Sequence, residues 1–368
     1  MTTAENKFRY LITLEPLGLL YGSAGAFLSP ENLVGRSGKK FPPSAVTLAG
    51  LFAAAFAEQG GNIQSLRVAG PFWSFTNDIQ NFCVPTPFHL TTQLDPEPDS
   101  EYAVKKGTVT EVLTWHPKAT DNPYDCWKSA QEHKADTKTK PKSSKSTKDT
   151  WLPINQWQTP TTVYDKPWKF IPHLHPRLQA DQRHVVEAQS GEGTLFLENS
   201  VQMLPDTCLT YLSNAEIEPG WYRFGGEGHL VSVTTHPLSE KTQALLNAPL
   251  GYAFALITPA LWGSNRLSLR YPEAWNNHLQ TMLTERPNPF RYRLGGKDKE
   301  SPHRPRRLSR GRYAVPAGTV YVTTKQQPCW YEWQSEIFPK EGYPMNTWGS
   351  GLALPSDPGV MAEGAIAS

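Results

Sequence analysis

The sequence predicts an α+β fold of two sandwiches, each an antiparallel sheet with helices on one side. Three observations point there. Apolar residues open each half in strand-like runs, alternating with polar ones in the first. A stretch of helical period follows the first of these runs. Strand-forming runs around glycine turns then recur in both halves. The 33 Pro and 27 Gly among 368 residues fit a chain of many turns and long connections rather than a helical bundle. That length accommodates two cores.

Phe8, Tyr10, Ile12 and Leu14 alternate with Arg9, Thr13 and Glu15, which predicts a half-buried first strand. A loop of Gly35, Arg36, Gly38, Lys39 and Lys40 leads into Phe41-Pro42-Pro43-Ser44. The prolines hold the chain extended up to Ser44, whose hydroxyl suits the cap of a helix running to about Glu58. Leu48, Phe52, Ala55 and Phe56 mark the buried face of that helix. Gly50 predicts that another backbone or a ligand approaches there, because glycine costs a helix about 1 kcal/mol relative to alanine. Gly60-Gly61 reads as the C-cap. Residues 71 to about 161 read as irregular, with short strands such as 107–115. Residues 193–198 and 207–212 are rich in strand formers, and 221–234 reads as a hairpin around Gly225-Gly226-Glu227-Gly228.

The second unit opens with the apolar strand 252–257. Residues 271–285 read as a short helix carrying Trp275, Leu279 and Met282 on one side. Residues 313–315 and 319–323 flank Pro316-Ala317-Gly318, a turn between strands. The tail carries Trp348-Gly349-Ser350-Gly351-Leu352. Trp330, Tyr331 and Trp333 are assigned to subunit contacts, with burial in the chain's own core an equal alternative.

The net charge of +2 conceals a division. Residues 128–149 hold seven Lys against three acids, and residues 291–312 hold nine basic residues against Asp298 and Glu300. The remainder is acidic, so positive charge is concentrated as a polyanion-binding surface requires. The first segment, of Lys-Thr-Ser-Pro composition, reads as a solvated, mobile insertion. The second is arginine-rich, with Arg304, Arg306, Arg307, Arg310 and Arg312. Guanidinium forks suit phosphate oxygens, and RNA or a neighbouring acidic subunit is the expected partner.

Other chemistry finds little footing. Cys83, Cys126, Cys208 and Cys329 are scattered without a CxxC pair, so neither a zinc site nor a disulfide framework is expected. His173 and His175 would share a strand face, yet no third ligand stands at matching spacing, and no metal or cofactor is expected. No Walker loop, GxSxG elbow, HExxH helix or GxGxxG fingerprint occurs. No apolar run nears the roughly 20 residues of a membrane span, and the polar Met1–Lys7 start lacks a leader's apolar core. A cytoplasmic location is expected. The many Trp and Pro also fit a carbohydrate-binding module, against which the lack of a leader and of disulfides argues.

With these motifs in place, the chain resembles the RAMP superfamily of CRISPR-associated RNA-binding proteins, and within it the third subunit of type III-B (Cmr) effector complexes. The resemblance rests on Leu14-Glu15-Pro16-Leu17, the glycine loop with Phe41-Pro42-Pro43-Ser44 through Leu48-Ala49-Gly50, and Gly193-Thr194-Leu195-Phe196. It continues through Phe224-Gly225-Gly226-Glu227, Leu256-Ile257-Thr258-Pro259-Ala260-Leu261, the stretch Ala314 to Tyr321, and Trp348-Gly349-Ser350-Gly351. These anchors span both halves in the family's order.

The resemblance implies two ferredoxin-like (RRM-like) domains with long insertions, at 1–243 with a lysine-rich insertion near 118–150, and at 248–368. It implies a non-catalytic scaffold in antiviral defence. Such a subunit holds the 5′ tag of the guide (crRNA) and contacts the large polymerase-like subunit and a backbone RAMP subunit. Where relatives often carry an arginine after the helix glycine, this chain has Ala53. The expected RNA contacts are Arg36, Lys39, Lys40 and the amides around Ser44, assisted by Gly225, Gly226 and His229. Arg177, Arg183, Arg304, Arg306, Arg307 and Arg310 form a second rank. The enzymatic alternative is a RAMP-superfamily endoribonuclease that processes CRISPR repeat RNA, since such a nuclease needs only a histidine or lysine at the scissile phosphate.

Overall fold

The computed structural model describes residues 6–21, 41–58, 63–98, 100–116, 127–129, 147–176, 184–185, 195–225, 228–264, 266–292 and 308–358. The fold is α+β with sheet predominating. Among the described residues its main sheet has ten strands, all paired antiparallel, and the α-helices are α1 (Ala45–Glu58) and α2 (Glu240–Asn247). No helix among the described residues is long and apolar enough to cross a membrane.

At the heart of the main sheet lie His229–Pro237, Tyr10–Pro16, Thr207–Ser213 and Val68–Phe75, side by side in that order. Counted along the chain they stand fourth, first, third, second. Gly220–Phe224 adds an edge beyond His229–Pro237. On the other side Cys83–Pro85, Trp151–Pro153, Thr162–Tyr164, Lys106–Val112 and Leu90–Leu94 prolong the sheet. The second sheet repeats the fourth, first, third, second order with Ala353–Pro355, Gly251–Leu256, Val320–Gln327 and Leu279–Leu283. A further sheet pairs Trp168–Pro176 with Leu195–Met203, and the latter with Leu20–Tyr21.

The first strand is buried on both faces, not one, because it lies between two other strands and two cores. Ile12 and Leu14 face α1 with Leu48, Phe52, Trp73, Tyr211 and Val233. Leu11 faces the opposite way with Phe8, Phe72 and Leu212, in a core continuous with Phe254, Trp262, Trp330 and Trp333 of the second half. Trp330 and Trp333 thus belong to the chain's own interior. Trp330 stacks on Phe8 at 5.9 Å between centroids, and the Phe8 amide donates to the Tyr331 hydroxyl at 3.2 Å.

Three further expectations are corrected. Residues 71–161 contain several regular strands, since backbone groups buried in so wide a sheet need ladder partners. Residues 271–285 are not a helix. Glu273–Trp275 makes one 3₁₀ turn and Leu279–Leu283 pairs with Val320–Gln327, burying Trp275 against Phe254 and Tyr321. Gly50 is exposed, and a Cβ there would meet nothing within 4 Å, so no other part of the described backbone approaches it. The predicted C-cap at Gly60-Gly61 lies outside the described residues. α2 escaped sequence reading; Ser239 caps it, accepting from the Thr242 amide.

Candidate nucleic-acid interface

α1 forms where predicted, and Val68–Phe75 helps to set its position. Gly70 has φ +136°, and a Cβ there would lie 2.7 Å from the Tyr211 ring. Gly70-Pro71 lies at an irregularity in the pairing with Thr207–Ser213, as prolines within sheets usually do. Tyr211 fills the space and its hydroxyl donates to the Pro43 carbonyl at 2.7 Å. Burial pushes the Tyr211 phenol far up, so it remains a donor. This bond fixes the extended entry to Ser44, whose carbonyl accepts from the Thr47 amide at 2.8 Å.

Ser44 is half-buried and lines a narrow crevice of about 40 Å³ between the halves, facing Thr258, Met345, Trp348 and Ser350. A larger cavity of about 290 Å³ lies among Glu15, Thr76, Tyr102, Gln202 and Asp206. Its two carboxylates repel a polyanion.

The predicted hairpin is present. Gly220–Phe224 and His229–Pro237 pair from Gly220 opposite Val233 to Phe224 opposite His229. Gly225 has φ +78°, is exposed, and has open space where a Cβ would stand. The Gly228 amide donates to the Gly225 carbonyl at 3.3 Å. Left-handed backbone explains the glycine. His229 is partly buried at the head of the return strand.

The basic segment near the C-terminal sheet divides. Arg310 is exposed, while its backbone amide donates to Glu341 at 3.0 Å. Arg312 is buried and pairs with Glu341 at 2.6 Å, which makes it structural. Burial pushes the Glu341 carboxyl up, but hydrogen bonds from Arg312 and the Arg310 amide prevail and hold it below its usual value. Arg266 and Arg270, exposed on either side of Ser268–Leu269, lie near exposed Tyr313, whose amide donates to Ser268 Oγ at 3.1 Å. These were not anticipated.

Arg36, Lys39, Lys40, Arg177, Arg183, Gly226, Arg304, Arg306 and Arg307 lie outside the described residues, as does Cys126. Sequence reasoning also passed over Trp221 and Arg223, both exposed on the hairpin. Strand alternation against the buried Val231 and Val233 was the available signal. Among the described residues no cluster of three or more His, Cys, Asp and Glu could hold a metal.

Comparison with known proteins gives three results. No curated protein matches the chain. Among solved structures, the chain is similar to a chain in the cryo-EM structure of the type III-B Cmr-beta bound to cognate target RNA. The TM-score is 0.44 at 12% identity, covering 85% of this chain and 86% of the other. A second structure of that assembly, with AMPPnP, gives TM-score 0.43 at the same identity and coverage. A chain of the Csm3-Csm4 subcomplex of the type III-A CRISPR-Cas interference complex gives 0.35 at 10% identity, covering 87% of this chain and 94% of that one. The model of the CRISPR-associated protein family Cas_Cmr3 matches residues 14–354, nearly the whole chain, which therefore belongs to that family.

Proposed function

We propose that the chain is a non-catalytic RNA-binding subunit of a type III-B CRISPR effector complex. In this reading it holds the 5′ tag of the guide RNA and contacts the large polymerase-like subunit and a backbone subunit. The observation that carries the reading is the family match across residues 14–354. The repeated fourth, first, third, second strand order supports two ferredoxin-like units divided near 243–248, in the first of which α1 joins the first and second strands. The loop bearing Arg36, Lys39 and Lys40 supplies phosphate contacts, with Gly225 and its turn beside the RNA.

Filter binding of a single-stranded guide across a salt series tests this. Replacing Lys39 and Lys40 by Ala should weaken binding and reduce the steepness of log K against log salt by about 1.4, at roughly 0.7 per phosphate contact. An unchanged slope removes the loop from the site. Specific cutting of repeat RNA by the purified chain would establish the endoribonuclease instead.

A further inference from the structure

The hairpin has two faces, and strand alternation assigns them. Tyr222 and Phe224 point toward α1 and pack with Val231 and Val233. Trp221 and Arg223 therefore point the other way, opposite Ser232 and Leu230 respectively. Trp221 is 76% exposed and Leu230 52% exposed. Among the described residues no ring packs on Trp221 and no carboxylate pairs with Arg223. The Arg223 side chain runs along the turn, where a Cβ on Gly228 would come within 3.7 Å of its Nη1. That is an ordinary contact distance, and Gly228 is explained instead by its left-handed backbone at φ +68°.

A large apolar ring left in water on a paired strand, two residues from an exposed arginine, has the composition of a single-strand contact. The ring offers a face to any base, and the arginine, about 7 Å along the strand, offers a fork to a phosphate. Resting on the RNA-binding reading above, we propose that this outer face is a base-stacking subsite: Trp221 stacks on an unpaired base and Arg223 contacts an adjoining phosphate. Glu15, opposite Ser232 on the next strand, sets the direction. Its charge repels phosphate, so the RNA runs along the hairpin and not across the sheet.

The test measures the full chain binding a fluorescent single-stranded RNA by anisotropy, beside the same oligonucleotide with abasic positions. Trp221→Ala should weaken binding to the intact RNA roughly tenfold, with no change in salt slope. Trp221→Phe should retain most of the affinity, which separates stacking from misfolding. Arg223→Gln should flatten the slope by about 0.7. On abasic RNA the wild type and Trp221→Ala should bind alike. Wild-type binding that Trp221→Ala leaves within twofold on intact RNA overturns the subsite while the RNA-binding reading stands. Equal losses on intact and abasic RNA overturn stacking. A Trp221→Ala chain that keeps its RNA affinity but leaves the assembled complex identifies a protein dock and overturns the subsite. A wild type without RNA affinity overturns both readings.

Discussion

Arg310 and Arg312 stand two positions apart in one basic segment and have different surroundings. Arg312 is buried against Glu341, whereas the Arg310 side chain is exposed. Removing one partner of a buried pair strands the other charge, at a cost of about 3–5 kcal/mol. Arg312→Ala should therefore lower the urea midpoint of unfolding strongly. Because Glu341 titrates below its usual value, the pair's contribution is fully present above the unfolded carboxylate pKa. It is lost as pH falls through the lower, folded one. His89 acts in a higher window. Buried with its Nε2 3.3 Å from Ser356 Oγ, it is held down to about 4 from the ordinary 6.5 by desolvation. Between these values the unfolded chain takes up a proton that the folded one refuses. Stability should therefore fall by up to about 1.4 kcal/mol per pH unit as the solution is acidified across that window. Calorimetry from pH 7 to 4 should show this loss, and a His89→Gln variant should show less of it.

Among the elements, the tail motif Trp348-Gly349-Ser350-Gly351 has a physical reason that the sequence did not disclose. Gly349 has φ +69°, and a Cβ there would stand 2.4 Å from that of Ala69 on Val68–Phe75. Ser350 Oγ accepts from the Leu261 amide at 2.8 Å, and Thr258 Oγ1 donates to the Gly349 carbonyl at 2.5 Å. The motif is a close backbone contact that seats the second half on the first. Gly349→Ala should destabilise by about 2–4 kcal/mol, combining left-handed strain with overpacking. A denaturation midpoint within error of the wild type would refute this contact. The α1 and hairpin predictions succeeded because helical periodicity and glycine turns are local. Leu279–Leu283 failed because its spacing is compatible with a helix, and only the neighbouring strand Val320–Gln327 selects the extended form.

For the whole molecule, one core runs from Phe8, Leu11 and Phe72 to Phe254, Trp262 and Trp333, crossing from one sheet to the other. The first half keeps a core of its own around α1, but the surface lining this shared core is buried only when the halves meet, so thermal unfolding should be a single transition in which the two halves melt together. Two separate calorimetric peaks would contradict the shared core. The lysine-rich segment bears differently on the fold. Its interior lies outside the described residues, but at its C-terminal end the Thr147 amide donates to the Thr92 carbonyl at 2.8 Å, and Lys148 pairs with Glu285 at 2.5 Å. A deletion confined to 130–146 keeps those ties.

From sequence alone came the α+β class, the helix entry at Ser44, the hairpin at Gly225 and the ordered motifs that identify the family. All of these are encoded by residues a few positions apart or by their order along the chain. Tertiary structure decided the rest: burial of the first strand on both faces, the inward turn of Trp330 and Trp333, the pairing of Arg312, and the exposure of Trp221. The reason is that burial and charge pairing depend on which distant surfaces meet. Phe8 and Trp330 become neighbours only once the sheets have packed.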